Sequence, residues 1–137
     1  MTYDELIELA LERLHEAQAL LNAGHWSGAY YLCGYSVEFL LKAHIARQFR
    51  AFDIPDKNVV NSVWTYRLDK LLELAELRPD LEDRFKVAPQ LQANWNTALG
   101  WNEGSRYRKM DEMEARSLIE ALSDPTDGVF AWIKSKL

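Results

Sequence analysis

The chain has one cysteine, Cys33, so no internal disulfide can staple it. Cys33 lies in an apolar run with no activating base near it in sequence, which predicts a buried, inert thiol in a reducing compartment. No G-x-S-x-G, P-loop or dinucleotide-type glycine pattern occurs, so hydrolase and nucleotide-triphosphatase chemistries have no residues to carry them. Basic side chains are outnumbered, 16 against 21 acidic, and the net charge of −5 excludes a surface that coats nucleic acid generally while leaving room for a local basic patch. No apolar run approaches membrane-spanning length, and the opening Met1-Thr-Tyr-Asp-Glu5 is acidic where a signal peptide is basic. Strand signals are weak, with only a short β-branched stretch at Asn58–Trp64, and there are no repeats. The expectation is one cytoplasmic domain over residues 1–137, with no membrane contact.

What is present is helical periodicity. Thr2 and Glu5 form a capping box that predicts a helix from Tyr3, with Leu6, Ala10, Leu14, Ala17 and Leu21 on one face and Gly24 as its left-handed stop. A second helix is predicted from about Trp26 to about Phe52, followed by a loop over 53–64. A third spans about Thr65–Leu77, closed by Pro79. A fourth starts near Asp80 and continues through Phe85, Ala88, Leu91, Trp95 and Leu99, kinked or split at Pro89. Gly100–Lys109 reads as a loop, and Asp111 with Glu114 starts a last helical region, interrupted at Asp124-Pro125 and resumed at Val129. The fold class is all-α: an up-and-down bundle of five or six helices.

The second helix poses the functional question. At about 100° per residue, Trp26, Tyr30, Cys33, Val37, Leu40, Leu41 and His44 share the core arc. Glu38 falls elsewhere, beside Tyr31, Gly34, Ile45 and Phe49, with Lys42 one turn on. A helix apolar nearly all round is buried on more than one side, so the Glu38 face should meet another helix or a second subunit. Two readings of Glu38 stand open. One is a surface pair with Lys42 contributing about 0.2–0.5 kcal/mol. The other is a semi-buried carboxylate needing Tyr31 or a basic residue from elsewhere as its partner.

The run ALLNAGHWSGAYYLCGYSVEFLLKA, residues 19–43, resembles the core of the HEPN domains (higher eukaryote and prokaryote nucleotide-binding). Thr65-Tyr-Arg-Leu-Asp-Lys-Leu-Leu72 resembles that family's T-H-x-L-x-x-L-L segment, with Arg67 in place of the usual His. Trp101 and the Arg106-Tyr107 pair resemble a late aromatic and an R-Y pair before the last helix. The resemblance implies a helical bundle that dimerises and serves in RNA cleavage, toxin–antitoxin systems or nucleotide binding. Its ribonuclease branch uses R-x4-6-H without metal, the Arg clamping phosphate and the His transferring protons.

This chain departs from that motif. Its three histidines, His15, His25 and His44, all lie in the first third, and none follows an Arg at the motif's spacing. Arg106, Arg108 and Lys109 are left as a basic loop flanked by aromatics. The expected ligand-binding residues are therefore Glu38, Lys42, Arg67, Trp101, Arg106, Tyr107 and Arg108, with no catalytic residue assigned. The expected function is a dimeric module holding a nucleotide or RNA phosphate. The alternatives are a variant metal-independent ribonuclease in which Asp111 or Glu38 replaces the missing His, and a structural subunit that binds a nucleotidyltransferase-like partner. No cofactor is expected. Glu12-x-x-His15 matches half of a di-metal motif, but its second half is missing, so no metal is expected either.

Overall fold

The computed structural model describes residues 1–137, and every regular element in it is helical. Helix α1 (Tyr3–Asn22) starts where its capping box places it. The Glu5 amide donates to Thr2 Oγ1 at 3.2 Å, and the Thr2 amide donates to Glu5 Oε2 at 2.8 Å. Gly24 ends the helix with φ of 82°, the conformation only glycine adopts without strain. Helix α2 (Trp26–Gln48) turns back along α1. The two come close at Gly28, where a β-carbon would lie 3.3 Å from Leu20.

Helix α2 stops at Gln48, four residues short of the expected Phe52, because Phe49 turns to an extended backbone. Both Phe49 and Phe52 are exposed, so nothing in the chain rewards continuing the apolar stripe. The β-branched stretch at 58–64, expected as loop, instead forms most of helix α3 (Lys57–Val63). The Asp56 carboxylate accepts the amides of Asn58 and Val59 at 2.7 and 3.3 Å, and this cap outweighs the modest helix propensity of Val and Asn. Helix α4 (Leu68–Leu74) is shorter at both ends than the expected 65–77. Pro79 opens helix α5 (Arg78–Phe85) rather than closing the helix before it, since its missing N–H is harmless in a first turn. Pro89 does the same for α6 (Pro89–Leu99), splitting the expected fourth helix. A 3-10 turn over Glu103–Tyr107 comes next, then α7 (Glu112–Ser123), capped by Asp111, and α8 (Val129–Ser135). The bundle thus has eight α-helices where five or six were expected, through the split at Pro89 and the added α3.

Helix α2 is the common wall, packed on α1, α4, α7, α8 and the 3-10 turn. Cys33, Val37, Leu40 and Leu41 on its core arc are wholly buried. Each large aliphatic side chain so buried contributes about 1.5–3 kcal/mol. Trp26, at the start of the arc, is only half-buried.

His44 is the polar member of this core. Its Nε2 lies 3.0 Å from the Ile133 carbonyl oxygen, so the neutral ring donates there and ties α2 to α8. Burial pushes its pKa below the ordinary value, and the Ile133 bond opposes that shift only in part. The unfolded chain therefore takes up a proton that the folded chain resists. Stability is full above the ordinary His pKa of about 6.5 and declines as pH falls through and below it. Denaturant midpoints between pH 8 and 5 should show this decline, and His44→Gln should flatten it. An equally steep curve in the variant assigns the effect elsewhere.

Candidate functional site

The second face of α2 meets the segment after α6, and the contact begins at a missing side chain. Gly34 is buried, and a β-carbon there would overlap the Trp101 indole. The ring therefore lies flat on the α2 backbone, with Nε1 donating to the Tyr31 carbonyl at 3.0 Å. Trp101, expected to line a pocket, is 2% exposed, and its edge floors a small cleft with Arg67 and Asn102. At the other end of the loop the Met110 amide donates to Ser27 Oγ at 2.9 Å. Residues 101–110 are thus clasped to α2 at two points, with the 3-10 turn between them.

Around Trp101 the half-exposed aromatics of α2 form a continuous wall. Tyr35 meets Trp101, Phe39 and Tyr66 with ring centroids 5.2, 5.7 and 6.0 Å apart. The Tyr31 and Tyr35 hydroxyls are hydrogen-bonded at 2.8 Å. Burial, then that bond, raises the Tyr35 pKa far above the ordinary phenol value, so Tyr35 stays neutral. The apolar second face of α2 is thereby covered in part within the chain, by Trp101 and Tyr66.

The clasped loop aims its basic residues into one place. Arg106, Tyr107 and Arg108 line a cleft of about 290 Å³ together with Ser27, Gly28, Tyr31 and Ser105. The Arg106 guanidinium stacks over the Tyr107 ring, 4.9 Å from its centroid. The Tyr31 phenol, then the Tyr107 phenol, beside the guanidinium holds the Arg106 pKa above the usual value. Glu103 Oε1 lies 3.7 Å from Arg106, beyond a good hydrogen bond, so the guanidinium keeps donors for another acceptor. Burial raises the Tyr30 phenol pKa, and the neighbouring Arg108 guanidinium opposes the rise. Two guanidinium groups, two phenols and two hydroxyls around a shallow opening can bind an oxyanion, with Tyr107, 78% exposed, free to stack.

Other expected site residues sit apart from this cleft. Glu38 is buried with Lys42: Lys42 Nζ donates to Glu38 Oε1 at 2.8 Å. The second oxygen, Oε2, is buried with no partner. Burial raises the Glu38 pKa, and the Lys42 bond and charge only partly offset it. Lys42 faces the Tyr66 ring at 6.0 Å. Of the two readings of Glu38, the buried one holds, with Lys42 alone as partner. Arg67 is paired with Asp69, and Arg106 lies in the cleft with Tyr31 and Tyr107, so neither is bonded to Glu38. Asp111 accepts the Glu114 amide at 2.8 Å as the α7 cap, so it is committed to the helix start. Arg67 and Trp101 meet in the small cleft beside Asn102.

Ser27, Gly28, Tyr31, Ser105 and Asn102 belong to this region and were not among the expected site residues. A signal existed for one pair: Asn102 and Ser105 stand three apart at a turn start, and the Asn102 amide donates to Ser105 Oγ at 3.0 Å. Ser27 and Tyr31 become visible only once the loop is seen to clasp the first turns of α2.

No helix is long and apolar enough to cross a membrane. No curated protein and no solved structure shows significant similarity to the chain. The HEPN domain family matches residues 3–134, nearly the whole sequence, and its helical fold is the one seen here. With that match spanning both the α2 wall and the Arg106 loop, the chain belongs to the HEPN domain family.

Proposed function

We propose that this HEPN chain is a cytoplasmic binding module that holds a phosphate-bearing ligand, a nucleotide or RNA, in the cleft formed by α2 and the 3-10 turn. The observation that supports it is the convergence of Arg106, Arg108, Tyr31 and Tyr107 on one opening. The guanidinium groups bind the phosphate and the Tyr107 ring packs on a base or sugar. Binding rather than cleavage is favoured by what surrounds the cleft. The carboxylates that could replace the absent His are sealed with Lys42 (Glu38) or capping α7 (Asp111). The module works as a homodimer, closed two-fold pairs being the commonest soluble assembly.

Titrating the protein with AMP and with short single-stranded RNA tests the reading. Arg106→Ala and Arg108→Ala should each weaken binding about ten-fold or more, the value of a charge-assisted hydrogen bond. Equal affinity in wild type and both variants overturns it. RNA incubated without metal should survive equally with wild type and Arg106→Ala, and cleavage lost only in the variant would restore the ribonuclease reading. Sedimentation at micromolar concentration should give about twice 15.9 kDa.

A second reading is favoured by Phe52 and Ile54, which are almost wholly exposed. Large apolar side chains in that state mark a protein-docking surface. In this reading the chain is a structural subunit of a toxin–antitoxin or nucleotidyltransferase-associated assembly. Stoichiometric co-purification of such a partner from the native host would support it.

A further inference from the structure

Two further openings lie near the Arg106 cleft. Across Trp101 and Asn102 lies the small cleft of about 260 Å³ that Arg67 also lines. Arg67 then lines a third, larger opening of about 470 Å³ with Lys70, Trp64, Asn61, Ser62 and Thr65. The three openings are joined by shared or bonded residues. Arg67 belongs to two of them. Asn102, in the middle one, is hydrogen-bonded to Ser105 in the first. Trp101, also in the middle one, is hydrogen-bonded to Tyr31 in the first.

Along this line the chemistry alternates. Arg108 and Arg106 come first with Tyr107, then Arg67 beside Asn102, then Lys70 with Trp64. Trp64 is 83% exposed, the most exposed of the five tryptophans, two of which are buried and two half-buried. Arg67 is held by Asp69 through Nε and Nη2 at 3.3 and 2.8 Å. A guanidinium has five N–H donors, so three remain for an incoming oxyanion. Its side chain is 64% exposed and can present them. Asn61, Ser62 and Thr65 line the same opening as the Trp64 indole and give it a polar wall. Asp69 and Glu73 are the acidic members of this path and weaken it without interrupting the cations.

We propose that the three openings form one track for single-stranded RNA several nucleotides long, with Trp64 as a base-stacking platform and Arg67 and Lys70 as phosphate contacts distant from Arg106. This rests on the phosphate-binding reading of the Arg106 cleft and extends it from a mononucleotide to a strand. Cationic grooves with exposed aromatic rings bind single strands in this way, each stacked base adding to affinity with little sequence preference.

The test is a length series of labelled oligouridylate, from one to eight nucleotides, titrated against the full chain at several salt concentrations. Affinity should rise with length, and the salt slope should steepen by about 0.7 for each further cation engaged. Trp64→Ala should weaken the eight-mer about ten-fold or more and leave the mononucleotide unchanged. Lys70→Ala should lower the eight-mer's salt slope by about 0.7. The eight-mer should quench tryptophan fluorescence in wild type but much less in Trp64→Phe, which keeps a stacking ring and most of the affinity. Length-independent affinity with Arg106-dependent mononucleotide binding would overturn the track while leaving the cleft intact. Absence of any binding, mononucleotide included, would overturn the cleft reading and the track with it. A Trp64→Ala variant that changes sedimentation but not eight-mer affinity would assign the indole to a subunit contact and also overturn the track.

Discussion

Lys42→Met is expected to destabilise the protein by about 3–5 kcal/mol at neutral pH, the cost of leaving one member of a buried pair alone. Glu38 is 1% exposed, its Oε2 has no partner, and the Lys42 bond at 2.8 Å is its only compensation. Methionine keeps most of the lysine stem's volume, so the loss reports charge rather than a cavity. The two partners are not equivalent. Lys42 retains 16% side-chain exposure and can shift its ammonium toward water, whereas Glu38 cannot. Glu38→Ala should therefore cost less than Lys42→Met. The double variant Glu38→Met with Lys42→Met should recover most of the stability, since apolar replacements of buried ion pairs are often neutral or better.

The pH dependence has a definite sign. The Glu38 pKa is raised in the fold, so above the ordinary carboxylate pKa of about 4.3 the folded state holds a proton the unfolded chain has released. This group's contribution is full below that pKa and is lost as pH rises. The Lys42→Met penalty should accordingly shrink toward acid pH. Urea titrations at pH 7.5 and 5 measure both effects. A single variant within half a kcal/mol of wild type at pH 7.5 would mean that Glu38 is hydrated.

Gly34→Ala is the second large effect, and here two principles oppose each other. Inside a helix, glycine to alanine gains about 0.8–1 kcal/mol from backbone entropy. At Gly34 the added methyl would overlap the Trp101 ring, which is fixed by its bond to the Tyr31 carbonyl. Overpacking of a rigid aromatic costs about 1–3 kcal/mol or more, so packing should win. The loop carrying Arg106 and Arg108 hangs on that indole, and ligand binding should fall together with stability. Calorimetry and nucleotide titration of the same variant check the pair of losses. A gain in stability with unchanged binding would show that Trp101 shifts freely.

How much of the fold and of the cleft was legible in the residues depends on the range of the forces involved. The cap at Thr2, the stop at Gly24 and the core arc of α2 from Tyr30 onward are local or periodic, and each stands where the pattern puts it. The boundaries that differ lie where tertiary context decides. Helix α2 ends early where Phe49, left exposed, turns to an extended backbone, and α3 forms because one carboxylate caps it. Pro79 and Pro89 were visible as breaks, but their role as first-turn residues depends on the helical stretches that each of them opens. The convergence of Arg106, Tyr107 and Arg108 was readable because they are adjacent in sequence. The seat of Trp101 on Gly34 was not, since 67 residues separate the two and only the folded bundle brings ring and glycine together.

Helix α3 has no buried residue of its own. In hydrogen-exchange terms, its amides should open without waiting for the bundle to unfold, whereas those of α2 are tied to global opening. Trp64 adjoins this weakly held segment, so on the proposed track a strand reaching the indole would first spend part of its binding free energy on ordering the protein. The Arg106 loop, clasped twice to α2, carries no such cost. On the proposed track the two ends would therefore differ in kinetics, a preorganised end capturing phosphate quickly and a pliant end closing on the strand afterwards.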